Sequence, residues 1–293
     1  MDKPDLHETK IHGSPAFPFS IYHGRIPEWI PSFPLHWHES FELICCGRGS
    51  LRATVWGTAY TLCAGDMLVI LPQAVHSIEP AGSAKGEYFN IIFAPSLFQG
   101  PEGDPCYDKY VLPFVSGQWA MDCFHPAGSD FSRAVASCVR SLIRHREESG
   151  STYELMVKSR LFQLLYVMVQ HSAPAESSER SRLTCSRLKR ALYYVRNCYD
   201  REVTVREAAS RCGFSESYFM KLFKDFTGMS FNAYLVDYRL ELAAKQLSET
   251  GYRVIDVAEN CGFHNHSYFT RAFREKYQMT PTEYRKAACM GRE

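Results

Sequence analysis

The sequence predicts an α+β chain of two domains: an N-terminal β-barrel followed by helices, and a C-terminal all-α domain with two tandem helix-turn-helix units joined by a long helix. Three observations carry this reading. Short β-branched and aromatic runs punctuated by Gly and Pro fill residues 17–93, helical spacing replaces them after about residue 105, and a stretch near Ser217 recurs fifty positions later. A chain of 293 residues has room for two cores, and its 45% hydrophobic and 22% charged content is that of an ordinary globular protein.

Strands are expected at SFELICC, LRATVWG, DMLVILP and YFNIIF, separated by turn residues, as in a small sandwich or barrel. A Pro- and Gly-rich loop from Pro95 to Pro105 closes this region. Over Tyr153–His171 the residues Leu155, Met156, Leu161, Phe162, Leu164, Leu165 and Met168 are expected to form one broad apolar stripe on a helix. The segment from His171 to Arg182, HSAPAESSERSR, offers Pro, Ser and Glu with almost no large apolar residue, which marks an interdomain linker. The resulting division is a barrel over 1–105, a helical dimerisation and coupling region over 106–172, a linker over 173–184 and the duplicated all-α domain over 185–293.

Charge is distributed unevenly. Residues 182–293 hold 19 Lys and Arg against 13 Asp and Glu, a surplus of +6, whereas the preceding part holds 14 against 19, a balance of −5. A basic tail suits a polyanion, because phosphate neutralisation and counterion release supply most of the affinity for nucleic acid. The eleven cysteines are scattered and form no CxxC pair, which points to reduced thiols. No apolar run is long enough to cross a bilayer and the N-terminus MDKPDLHETK is polar, so a cytoplasmic protein without a membrane partner is expected.

The duplication is SYFMKLFKDFTGMSFNAY from Ser217 and SYFTRAFREKYQMTPTEY from Ser267, preceded by VREAASRCGF and VIDVAENCGF. Each copy reads as a short helix carrying a small residue (Ala209, Ala258), a turn at Gly213 or Gly262 where a left-handed residue ends that helix, and a second helix. Thr204 and Glu207 form a capping box, and Ser215 and Asn265 are N-caps. Phe219, Leu222, Phe223 and Phe226, with Phe269, Ala272 and Phe273 in the second copy, must face inward. The helix Phe231–Glu249 between the copies, apolar along Leu235, Leu240, Ala243 and Leu247, is a spacer able to hold two reading helices about one DNA turn apart.

These motifs, CGFSESYFMKLFKDFTGMS, RLELAAKQL and CGFHNHSYFTRAFREKYQMTPTEYR, resemble the AraC/XylS family of transcription regulators over the whole tail. The resemblance implies double-stranded promoter DNA as partner, read by Ser217, Met220 and Lys221 in the first unit and His266, Ser267, Thr270 and Arg271 in the second. Lys224 and Arg274 are placed for phosphates. Met220 could offer only apolar contact, such as to a thymine methyl. RNA polymerase as a partner, a homodimer, activation of transcription and a small-molecule effector, often a carbohydrate, follow from the same resemblance. An RNA-binding module is disfavoured, since the deep, narrow major groove of RNA does not admit such helices.

In the N-terminal half, HWHESFELICCGRGS places His36, His38, Glu42 and Gly49, and AGDMLVILPQAVH places Gly65, Pro72 and His76, at spacings similar to the two cupin motifs. A cupin-like barrel is therefore expected, with an effector pocket at His36, His38, Glu42, His76 and Tyr88. No cofactor and no enzymatic activity are expected. The alternative is a metal-dependent cupin enzyme with an appended DNA-binding module, in which His36, His38, Glu42 and His76 hold one transition metal ion. Histidines that merely hydrogen-bond the barrel lining are a third reading, and Trp37 and Tyr88 read as packing residues.

Overall fold

The computed structural model describes residue 8 and residues 10–100, 104–148, 150–175 and 179–290. The polar stretch up to residue 7, part of the expected loop at 101–103 and the middle of the expected linker at 176–178 lie outside the described residues. The chain divides into two compact units between Leu183 and Thr184.

In the first unit β1 (Phe19–Ile26), β2 (Phe33–His36), β3 (Phe41–Val55), β4 (Thr58–Cys63), β5 (Met67–Ile70), β6 (His76–Pro80) and β7 (Gly86–Phe93) are followed by a short helix α1 (Leu112–Val115) and two small strands, β8 (Trp119–Met121) and β9 (Phe124–His125). All but β8 join one eight-stranded sheet, ordered β1-β7-β3-β5-β9, with β4 and β6 also on β3 and β2 on β6. Two helices, α2 (Asp130–Arg144) and α3 (Tyr153–Gln170), come next, and β10 (Ser172–Pro174) then pairs with β8.

The runs SFELICC and LRATVWG, expected as two strands, are one strand of 15 residues. The intervening GRGS does not turn the chain back because its backbone stays paired: Arg48 lies opposite Glu87 and Gly49 opposite Gly86 on β7, and Ser50 opposite Cys63 on β4. A register shift between Cys46 and Arg48 bends β3, so its first half pairs with β5 and its second half with β4 and β6. One strand therefore serves both parts of the roll.

Alternation along β3 separates two cores. Phe41, Leu43 and Cys45 pack with Phe131, Val135, Leu161, Leu165 and Met168 of the helices, while Ile44 and Cys46 join Ile26, Leu51, Ile70 and Tyr88 on the other face. Glu42 shares that second face, which puts a carboxylate inside an otherwise apolar roll.

The broad stripe expected on α3 is narrower than its sequence suggests. Val157, Leu161, Leu164, Leu165 and Met168 are buried at helical spacing, but Leu155 and Phe162 are exposed, as is Tyr166. The helix is apolar on two sides and only one of them meets the sheet; Phe162 touches only its edge, 5.1 Å from the ring of Phe98.

The second unit comprises α4 (Glu179–Cys198), α5 (Val205–Cys212), α6 (Glu216–Thr227), α7 (Phe231–Glu249), α8 (Val254–Asn260), α9 (His266–Tyr277) and α10 (Pro281–Met290). The helix α4 begins within the stretch 173–184 read as linker, and it buries Leu188, Ala191, Leu192 and Val195 at i, i+3, i+4, i+7 spacing. Phe219, Phe223 and Phe231 are fully buried and mutually in ring contact, as are Phe269 and Phe273 in the second copy. Each such ring contributes roughly 1.5–3 kcal/mol over leaving it in water.

Candidate nucleic-acid interface and sensor site

Local chemistry fixes where both reading helices start. Thr204 Oγ1 accepts from the Glu207 amide at 3.2 Å to begin α5, and Gly213, at φ 69°, ends it. Asn265 Oδ1 accepts from the Tyr268 amide at 2.9 Å at the head of α9. Ser215 occupies the corresponding position before α6 with extended backbone, but its hydroxyl makes no capping bond. A further capping box went unread in the sequence. Thr280 and Glu283 exchange bonds at the start of α10, Thr280 N to Glu283 Oε2 at 2.8 Å and Glu283 N to Thr280 Oγ1 at 3.3 Å, and the signal was TPTE with Pro at the first helical position.

With Phe219, Phe223 and Phe226 turned inward, α6 exposes Ser217, Met220, Lys221 and Lys224. Likewise α9 exposes His266, Ser267, Thr270, Arg271 and Arg274, and these five line one open groove with Glu275, Gln278 and Thr280. The Arg271 guanidinium lies 5.6 Å from the Tyr268 ring centre, which braces it at the groove wall. His266 Nε2 stands 3.4 Å from Glu259 Oε1.

Behind α9, Lys276 Nζ lies 2.6 Å from Asp237 Oδ1 and 3.0 Å from Glu241 Oε1 on α7, tying the second reading helix to the spacer. Burial lifts the Glu241 carboxyl to about 7 even against the Lys276 charge, because two carboxylates share one ammonium. Neither contact was legible in the sequence, where Asp237 and Glu241 read as solvated helix positions.

The sensor candidates converge. His36 and His76 face each other across β2 and β6, with ring centres 4.1 Å apart, and His38 is 5.0 Å from His76. Glu42 Oε2 lies 2.7 Å from His38 Nε2 and 3.1 Å from His76 Nε2. Donor atoms of all four residues fall within 4.8 Å of one another. Tyr88 is buried in the apolar core of the same roll, and its ring leaves no room for a side chain at Gly24. Trp37 is also buried.

Burial, and then the neighbouring His76, press the His36 imidazole down to about 4. Burial works against the Glu42 carboxylate too, yet His76 and His38 hold it well below the usual carboxylate range. His38 goes the other way: burial opposes its charge, but the bond to Glu42 and the carboxylate's charge raise it above an ordinary imidazole.

Two polar residues beside this cluster were missed. Glu8 places Oε2 3.8 Å from His36 Nε2 and 3.4 Å from His12 Nε2, and its amide donates to the Trp37 carbonyl at 2.9 Å. Neither belongs to a motif, and Glu8 lies far from His36 in sequence, so only the folded chain brings them to the site.

The arrangement defines a class: a β-roll with a polar, enclosed cluster, followed by a pair of helix-turn-helix units with solvent-facing reading helices. Comparison with known proteins then supplies the family. Residues 19–165 match the AraC-like ligand binding domain, half of the chain, and residues 208–287 match a helix-turn-helix domain. The chain belongs to the AraC family of transcription regulators, with an N-terminal ligand-binding domain and a C-terminal DNA-binding domain.

Among its relatives, YdeC of Bacillus subtilis (strain 168), described as an uncharacterized HTH-type transcriptional regulator, is 22% identical over 96% of both chains. The HTH-type transcriptional activator RhaS of Enterobacter sp. (strain 638) is 23% identical, again over 96% of each. Among solved structures, the DNA-binding domain of AdpA in complex with a target DNA is 26% identical, covering 36% of this chain and 95% of that one at a TM-score of 0.35. Among the described residues no helix is long and apolar enough to cross a membrane.

Proposed function

We propose that the chain is a ligand-controlled activator that reads a bipartite promoter site as a homodimer in the cytoplasm and contacts RNA polymerase there, without being an enzyme. The observation that carries the DNA reading is the α9 groove, in which His266, Ser267, Thr270, Arg271 and Arg274 lie together, exposed, on a helix whose other face is locked by Phe269 and Phe273. Arg271 presents paired donors to guanine, Ser267, Thr270 and His266 reach neighbouring base edges, and Arg274 holds phosphate. On α6, Lys221 and Ser217 take the same roles, Met220 touches a thymine methyl and Lys224 a phosphate. The spacer α7, 19 residues or roughly 28 Å long, sets the two sub-sites about one turn apart. DNA binding in this reading needs no cofactor.

Dimerisation is supported by the exposed apolar side of α3, Leu155, Phe162 and Tyr166, which a second copy would cover. The activating direction is supported by the relatives described as transcriptional activators. The effector enters the roll beside His36, His38, Glu42, His76 and Tyr88, and acts by binding one arrangement of the regulator better than another. The carbohydrate class comes from the family resemblance, and a melting-temperature screen of sugars and other metabolites on the full chain tests it.

Selection from a random duplex library with the full-length chain tests the DNA reading. Enrichment of two short motifs about 10–11 base pairs apart, with attachment that weakens steeply in salt, is expected. A library that stays unenriched would remove the claim of sequence reading.

A further inference from the structure

We propose that His36, His38, Glu42 and His76 form a binding site for one divalent transition metal ion, held by three imidazole Nε2 atoms and the Glu42 carboxylate. The inference rests on reading the roll as the sensing half and names a ligand class for it.

The argument starts from where the imidazole protons must be. His36 Nδ1 lies 2.8 Å from the Pro34 carbonyl, His38 Nδ1 3.1 Å from the Ser40 carbonyl and His76 Nδ1 2.8 Å from the Ala74 carbonyl. A carbonyl oxygen only accepts, so each Nδ1 carries the hydrogen and each neutral ring presents a bare Nε2 lone pair to the cluster. Three backbone carbonyls thus fix three rings in the tautomer and orientation that metal-ligating histidines adopt.

What those lone pairs face is unfavourable without a cation. A proton between His38 Nε2 and Glu42 Oε2 accounts for their 2.7 Å separation. It leaves His76 Nε2 fully buried and without a hydrogen bond, although the Glu42 oxygen is only 3.1 Å away. Two acceptors at that distance repel in a water-poor interior. A divalent ion bonding to all four atoms would satisfy both, and an apolar protein core offers no cheaper partner.

The dimensions suit an ion of that class. Metal–nitrogen and metal–oxygen bonds of about 2.0–2.2 Å put neighbouring donors roughly 3.3–3.5 Å apart around a tetrahedral centre. The four donors already lie within 4.8 Å of one another, so loading needs a contraction of about 1 Å in the widest pair. Imidazole with one carboxylate selects zinc, iron, nickel, cobalt or manganese over calcium and magnesium, which prefer all-oxygen shells. His36 is the partly exposed member, and entry is from its side, where Glu8 stands. The ligands come from β2, the turn after it, β3 and β6, so the ion would cross-link three strands of the roll.

The test uses the full chain, stripped with a chelator under reducing conditions and dialysed against Co²⁺, Ni²⁺, Mn²⁺ or Zn²⁺ separately, with metal content measured by elemental analysis. One equivalent per chain of at least one of these is expected, and the cobalt form should show visible bands without a near-ultraviolet thiolate band. His36→Gln and Glu42→Gln should each lower affinity by about 100-fold or more. His36 is the safer variant because it lines the opening, and circular dichroism and thermal melting of each variant check that it folds. No stoichiometric uptake of any of the four ions, equal uptake by well-folded variants, or a thiolate-dominated cobalt spectrum would overturn the proposal. Attachment to DNA is measured on the same stripped and loaded samples, so failure of the DNA reading and failure of the metal site are seen separately.

Discussion

The two helix-turn-helix copies are built on one pattern, and their differences fall at matched positions fifty residues apart. Lys221 in the first copy is Arg271 in the second, Met220 is Thr270, Lys224 is Arg274, the helix-ending Gly228 is Gln278, and the inward Phe226 is Lys276. The second copy therefore carries forked donors where the first carries point charges, and it docks on the spacer through an ion pair where the first uses an aromatic ring. Such a pair of units divides the work: the second selects sequence and the first adds affinity.

The turn glycines differ in the same way. Both are left-handed, Gly213 at φ 69° and Gly262 at φ 80°. A Cβ on Gly213 would meet open space, whereas one on Gly262 would lie 2.3 Å from the Tyr199 carbonyl, which itself accepts from Arg239 Nε at 2.8 Å. The second turn is wedged between the end of α4 and the spacer.

Five outcomes would break or sharpen this comparison. Gly262→Ala should have the largest effect, about 3 kcal/mol or more in denaturant unfolding of the second unit, against about 1 kcal/mol for Gly213→Ala; equal costs would mean that the wedge contributes nothing. Arg271→Ala should weaken the selected site by about 1–3 kcal/mol while scrambled duplex changes little, and Lys221→Ala should flatten affinity for both alike. If the two variants behave identically, the division of work fails.

The third outcome concerns pH. With its folded value near 7 and an ordinary value of 4.5, Glu241 binds more proton in the folded state, so its stabilisation is complete below about 4.5 and is lost as pH rises through 7. Glu241→Gln should remove that decline from the second unit's unfolding curve, and an unchanged pH slope would show that Lys276 already neutralises it. Fourth, Gln278 holds φ 57° where the first copy has Gly228. Gln278→Gly should add about 1 kcal/mol of stability, with some affinity lost because Gln278 lines the groove. Last, Met220→Ala should change DNA affinity by no more than about 0.5 kcal/mol, and then only at a site with a thymine; a larger, sequence-independent loss would make Met220 a packing residue.

Much of the DNA-binding unit was legible because its signals are local. The spacer was read as Phe231–Glu249 and is helical over those residues. Inward phenylalanines, left-handed glycines and the Thr204 and Asn265 caps likewise follow from neighbours within one or two turns. The roll was less legible. Its strand texture was clear, but nothing local says that GRGS continues one strand, that β9 adds to β5 from within a region expected to be helical, or which side of α3 meets the sheet. These depend on partners dozens of residues away.

The sequence by itself determined the order of elements, the duplication and the identity of the residues able to read DNA or hold a ligand, since periodicity, turn chemistry and side-chain donors are properties of short segments. Only the tertiary structure decided that three imidazoles turn their Nε2 atoms toward one carboxylate, that Glu8 stands beside them, and that one turn glycine is wedged while its twin is free. Those facts require backbone carbonyls and side chains from distant strands and helices to meet at distances of a few ångströms, which long-range packing alone sets.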